Sequence, residues 1–206
     1  MSVKEIVCAV KEKTVSAFTG YPKVFTGMSE NFSRSARELK SYRSLCGMAL
    51  LLALGVVVDQ FSLYVGPIKI GVGSIVSAML GCFYGPVAGM LAAGAGDIVK
   101  YLIRPDGAFF FGYTLNAMLG GLFYGIFLYK AQVSIPCVLS AKLLINMIVN
   151  ALLGTIWYSM LYGKGFYALI VPRLTANLIK IPVETIVLSI FLPVLIAVMR
   201  RAKVRI

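Results

Sequence analysis

The chain has 206 residues, 59% of them hydrophobic, with a mean hydropathy of +0.87. A soluble domain is roughly 45–50% apolar, so this composition excludes one and points to a membrane protein. The net charge is +12, there is no histidine, and Cys8, Cys46, Cys82 and Cys137 show no CxxC pairing, which argues against a metal centre or thiol-redox site.

The positive charge is not spread like a nucleic-acid patch. Eight of the twenty Lys and Arg lie in residues 1–43, and Arg200, Arg201, Lys203 and Arg205 close the chain. Basic residues flanking membrane spans mark the cytoplasmic side, with anionic lipid as their neighbour. Residues 1–43 are expected to be a cytoplasmic extension, with no long apolar core that would make a secretory signal. Within it Gly20-Tyr21-Pro22 breaks any early helix, and residues 30–43 suit either a basic amphipathic helix or a disordered tail. Residues 44–206 are expected to form an all-α domain of six transmembrane helices.

The first span is expected over 44–65, carrying the small-residue pair Ala49 and Ala53, with Asp59 near its far end. Gly66-Pro67 makes a turn, followed by Lys69. A short second span over 70–83 and a third over 86–103 meet at Gly85-Pro86. Asp97 and Lys100 lie one turn apart in the third. Arg104-Pro105-Asp106-Gly107 is a turn by composition. The aromatic cluster Phe109, Phe110, Phe111 and Tyr113 opens the fourth span, which carries Asn116 and runs to about 129. Lys130 and Gln132 form a short loop. The fifth span, 136–162, holds Lys142, Asn146, Asn150, Trp157 and Tyr158; Lys164 follows in a loop, and the sixth span covers 171–199.

A basic start and finish place both termini in the cytoplasm of a multi-pass cell-membrane protein. Asp59, Asp97, Lys100, Asn116, Trp157, Arg173, Asn177 and Lys180 then fall in the outer part of their spans, leaving Lys142 and Glu184 as inner exceptions. A channel would distribute polar groups through the full thickness. One-sided clustering describes a cup that opens outward and is closed below.

The last span is the most informative. Arg173, Asn177, Lys180 and Glu184 recur at steps of four, three and four, which puts them on one helical stripe. A charge near the bilayer centre costs roughly 2.5–3.5 kcal/mol, so the stripe is expected to face protein or water. Pro182 is expected to interrupt the helix before Glu184. The alternative reading is a snorkelling Arg173 with Asn177 bonding between helices. Lys69, Arg104, Lys164 and Arg173 surround the outer mouth against Asp106 alone, which favours an anionic ligand. Arg104 and Arg173 suit carboxylates, while Phe109, Tyr113 and Trp157 suit either a flat ring or an interfacial belt.

These residues resemble a known family. Residues 79–97, MLGCFYGPVAGMLAAGAGD, resemble the GxxxGPxxGxxxGxxxD passage of substrate-capture (S) components of energy-coupling factor (ECF) vitamin transporters. FFFGYTLNAMLGGLFYGIFLY, residues 109–129, continues it. RLTANLIKIPVETIVL is similar to the RxxxNxxxxPxE pattern that closes the folate-specific members. The resemblance covers about 44–199. It departs in the long extension and in Asp59, where related sequences often carry a basic residue.

The resemblance implies a six-helix component, not an enzyme, that needs no cofactor and binds folate with high affinity from outside. It implies assembly with a transmembrane coupling subunit, docked on Ala49 and Ala53, and with two ATPases; no GxxxxGK[ST] occurs in the chain itself. Folate offers carboxylates to Arg and Lys, a flat pterin to aromatics, and ring donors to an acid such as Asp97 or Asp59. The candidate ligand residues are therefore Asp59, Lys69, Asp97, Arg104, Phe109, Tyr113, Asn116, Trp157, Arg173, Asn177 and Lys180. The alternatives are an S component for pantothenate, riboflavin or a queuosine-type base, and a stand-alone facilitator. An intramembrane lipid transferase would need clustered carboxylates, His or Cys at a membrane face, and no DxxD-type repeat occurs.

Overall fold

A computed structural model describes residues 28–60, 63–65, 68–70, 73–105, 109–129, 135–163 and 165–201. The expectations for Cys8, Gly20-Tyr21-Pro22, Gly66-Pro67, Asp106-Gly107, Lys130, Gln132, Lys164, Lys203 and Arg205 lie outside these residues, and of Lys69 only the backbone is described.

Part of the extension is helical. Helix α1, Met28–Glu38, carries Glu30 in its first turn and Arg37 in its last, which suits the helix dipole. Its Arg34–Glu30 pair, at 3.5 Å, is exposed and contributes little. A break at 39–41 separates it from α2, Tyr42–Gln60, and Ser44 spans that break by donating to Glu38 at 2.5 Å.

Helix α2 stops short of the expected residue 65. Strands β1, Leu63–Val65, and β2, Ile68–Ile70, pair antiparallel instead, with Val65 opposite Ile68 across the Gly66-Pro67 position. The β-branched Val65, Ile68 and Ile70 favour extended strands over a helix end. The second span consequently begins at Gly73.

Helix α3, Gly73–Ile103, joins the expected second and third spans through a sharp bend. Gly85 adopts φ 83° and ψ −173°, a conformation open to glycine because it has no Cβ. A Cβ built on Gly89 would lie 3.1 Å from the Cα of Gly81. In an unbroken helix those residues would be about 12 Å apart, so α3 folds back on itself. Among the described residues five helices are long and apolar enough to cross a membrane. With α3 supplying two passes, six membrane passes result.

The bend would orphan the first N–H groups of the second arm. Pro86 has none to lose, and the Ser35 hydroxyl of α1 serves the next two. Val87 N–H and Ala88 N–H donate to Ser35 Oγ at 3.0 and 2.9 Å, and Ser35 donates to Tyr84 O at 2.7 Å. Ser35 is fully buried. It acts as an N-cap delivered from a different helix.

Helix α4, Phe111–Leu128, packs its glycines into the same bend. A Cβ on Gly121 would sit 2.5 Å from Gly89 O, and one on Gly81 would sit 2.6 Å from Gly125 N. The backbones of both α3 arms and α4 thus meet with no side chain between them. Leu80, Ala88, Leu128 and Val138 surround this hub and are almost completely buried.

Helix α5, Ile135–Tyr162, is regular at both ends but takes π geometry over Ile145–Leu153. It closes on Gly163 at φ 63°. Helix α6, Phe166–Arg201, runs through Pro172, Pro182 and Pro193 without a break, so the expected interruption at Pro182 does not occur. Two side chains also bond the backbone one turn earlier: Asn177 donates to Arg173 O at 2.9 Å and Thr185 to Ile181 O at 2.6 Å.

Candidate functional site

The ends of α2, α3, α4, α5 and α6 nearest the β-hairpin line an open cavity of about 520 Å³. That volume lies in the range of small-molecule sites, roughly 300–1,000 Å³. The wall from α2 and α3 carries Asp59, Ser74, Ser77 and Lys100. Helices α4 and α5 add Tyr113, Asn116, Asn150 and Gly154. Helix α6 contributes Arg173, Asn177, Lys180 and Glu184, the whole expected stripe. The convergence of polar groups at one end of the bundle holds, and the cavity runs deeper than expected because it reaches Glu184.

Arg173 is held in place. Its Nη1 donates to Gly154 O at 2.8 Å, and its guanidinium lies 4.4 Å from the Tyr158 ring centre. One fork of the guanidinium is anchored, which pre-organises a side chain that otherwise loses much rotamer freedom on binding.

Two acids lie on the wall, each beside a cation. Asp59 is 3.7 Å from Lys100, at the root of the hairpin. A Cβ on Gly73 would fall 2.9 Å from Asp59 Oδ1, so this pair packs against bare backbone. Glu184 accepts from Lys142 at 2.7 Å, and Lys142 is 2% exposed. The aliphatic stem of Lys142 is sealed in the core, with its ammonium 5.6 Å from the Tyr124 ring centre.

Six of the eleven candidates chosen from sequence line the cavity: Asp59, Tyr113, Asn116, Arg173, Asn177 and Lys180. Asp97 sits behind the wall and accepts from Thr114 at 2.9 Å, so its carboxylate ties α3 to α4. Trp157 also stands back, donating to Asn116 Oδ1 at 3.0 Å, while Asn116 donates to Val149 O at 3.2 Å. Its ring packs on Phe110 at 5.7 Å. Phe109 is exposed and packs on Tyr101 at 5.0 Å, away from the wall. Arg104 is exposed just beyond the end of α3.

Sequence reasoning did not select Ser74, Ser77, Lys100, Asn150 or Glu184 as ligand residues. A signal was available for the fifth span. Lys142, Asn146 and Asn150 recur every four residues, the same polar stripe that singled out the sixth.

Residues 43–192 match the family described as ECF transporter, substrate-specific component. The folate transporter FolT of Clostridium novyi (strain NT) is 36% identical over 151 residues, covering 73% of this chain and 88% of that protein. FolT of Leuconostoc mesenteroides subsp. mesenteroides is 30% identical over 143 residues, covering 66% and 77%. A crystal structure of FolT bound with folic acid superposes with a TM-score of 0.66 at 32% identity, covering 72% of this chain and 91% of that one. The chain therefore belongs to the family of substrate-specific components of ECF transporters.

Proposed function

We propose that this protein captures folate at the outer face of the cell membrane and hands it inward as the binding component of an ECF transporter. The observation that carries the reading is the cavity wall of α6, where Arg173, Asn177, Lys180 and Glu184 line one space. Three cations on the wall, Lys100, Arg173 and Lys180, suit a ligand with carboxylates, and Asn and Ser side chains suit a polar ring. Relatives named folate transporter, and a similar structure that holds folic acid, support the same ligand.

In this reading the hairpin end faces outside and α1 lies at the cytoplasmic surface, with both termini inside. The basic mouth of Lys69 and Arg104 draws the anion towards the cavity. Transport is completed by a transmembrane coupling subunit and two ATPases. Ala49 and Ala53 lie on an exposed face of α2 beside Leu50, which is 74% exposed, and would admit a partner helix at close range.

The test is equilibrium binding to purified protein across labelled folate, riboflavin and pantothenate, followed by uptake in vesicles with and without the coupling subunit and ATPases. Saturable 1:1 binding of folate, with uptake dependent on the ATPases, is expected. Preference for another vitamin would overturn the ligand, and uptake without the ATPases would favour a facilitator.

A further inference from the structure

We propose that helix α1 and the first turn of α2 form a docking surface for the phosphate headgroups of anionic phospholipid, which hold α1 over the bend of α3. The surface lies at the end of the bundle opposite the cavity, so the proposal stands whichever ligand the cavity takes. The family match begins at residue 43, and α1, Met28–Glu38, precedes it.

Position comes first. The bend at Gly85 joins two membrane passes and so lies at a membrane surface. Helix α1 is fixed to that bend, because Ser35 Oγ accepts from Val87 N–H and Ala88 N–H and donates to Tyr84 O. Leu39, just past α1, packs against the buried core. At about 100° per residue, Phe32 and Ser35 fall on the same side as Leu39, while Arg34 and Arg37 fall on the opposite side. An amphipathic helix of that pattern lies in the plane of the membrane interface.

Charge comes next. Arg34, Arg37, Lys40 and Arg43 are all exposed. The acids of this stretch are already engaged: Glu30 pairs with Arg34 at 3.5 Å, and the half-buried Glu38 accepts from Ser44. Among the described residues no carboxylate pairs with Arg37, Lys40 or Arg43.

The order of side chains along the chain identifies the partner. Basic Arg37 and Lys40 are followed by Tyr42, which is 86% exposed, and then by the exposed apolar Leu45, Leu50 and Leu54 of α2. Phosphate, interface and hydrocarbon succeed one another in the same order across a leaflet, with aromatic rings at the headgroup level. An acidic protein surface has no such gradient. Each Lys or Arg at an anionic leaflet strengthens attachment about fivefold. The long stems of Arg37, Lys40 and Arg43 can lie along apolar surface while their charged ends reach phosphate.

The experiment follows the thermal-unfolding midpoint of the full chain in mixed detergent micelles as phosphatidylglycerol is added, with phosphatidylcholine and inorganic phosphate as parallel titrants. A ligand that binds the folded form raises the midpoint. The parent's midpoint should rise with phosphatidylglycerol and stay level with the other two. The triple variant Arg37→Gln, Lys40→Gln and Arg43→Gln, monodisperse on size exclusion, should need roughly a hundredfold more phosphatidylglycerol for the same rise. Arg200→Gln with Arg201→Gln removes charge from the same side of the membrane and should respond like the parent. Equal responses of the triple variant and the parent, or an equal loss in the Arg200 and Arg201 variant, would overturn the proposal by reducing it to diffuse charge. A parent midpoint that phosphatidylglycerol leaves unmoved would overturn it outright, and a rise with inorganic phosphate would replace the lipid by a free anion. A triple variant that keeps the lipid response but loses assembly with the coupling subunit would assign the surface to a protein instead.

Discussion

The α3–α4 hub and the α6 wall are both membrane helices, but they are built by opposite means. In the hub, Gly81, Gly89, Gly121 and Gly125 bring backbones together until no Cβ fits between them. On the wall, Arg173, Asn177, Lys180 and Glu184 hold helices apart around a cavity. The membrane-span window of α3 is 78% buried within the protein, against 22% for that of α6. Lipid offers little hydrophobic drive between helices, so close packing has to come from small residues and polar groups have to earn another role. The scaffold and the site are thereby separated within one small bundle, and substitutions in the two regions should have different consequences.

The largest effect should come from the hub. Gly125→Val places a branched side chain against the backbone of Pro86, which cannot yield without parting α3 from α4. No monodisperse protein should elute on size exclusion in detergent. A normal elution profile would show that the hub tolerates separation.

The exposed face of α2 should behave as neither hub nor wall. Replacing Ala49 and Ala53 together by Trp should abolish assembly with the coupling subunit while folate affinity stays within a few-fold. Lost affinity with normal assembly would move this face into the site.

Ser35 joins the amino-terminal helix to the hub. Ser35→Ala leaves the N–H groups of Val87 and Ala88 without their acceptor, at about 1–3 kcal/mol. The midpoint of thermal unfolding should fall, with folate affinity unchanged. An unchanged midpoint would mean that water or lipid headgroups replace the cap without penalty.

The smallest effect separates neighbours. A Cβ on Gly120 meets nothing within 4 Å, whereas one on Gly121 meets Gly89 O and Ala93. Gly120→Ala should be neutral or stabilising by up to about 1 kcal/mol, since Ala is the better helix former. Gly121→Ala should destabilise by about 1–3 kcal/mol. Equal effects would show that small-residue spacing, and not this close approach, sets the requirement.

The bend at the centre of the hub was legible because its signal is local: Gly85-Pro86 separates two apolar runs, whereas the close packing of α4 on both arms depends on contacts between distant segments. The α6 stripe was legible for the same reason. The hairpin was not, because a β-branched pair about Gly66-Pro67 reads equally as the frayed ends of two apolar spans. Asp97 and Trp157 do not line the cavity: their partners, Thr114 and Asn116, lie on another helix, and such pairings are set by the packing and cannot be read from local spacing. Glu184 looked like an inner exception for a related reason: the lysine that supports it is 42 residues away.

The most direct measurement is folate affinity and thermal stability together on two variants, Gly121→Ala and Arg173→Ala. Removing Arg173 deletes a charge-assisted contact in a cavity partly shielded from water, a truncation that typically costs about 2–5 kcal/mol, or roughly thirty- to several-thousand-fold in affinity. The account predicts that Arg173→Ala loses affinity on that scale while its unfolding midpoint stays near the parent's. It predicts the reverse for Gly121→Ala, with a lower midpoint and folate affinity preserved in the folded fraction. Unchanged folate affinity in Arg173→Ala, or loss of affinity and stability in step in both variants, would contradict the separation of scaffold from site.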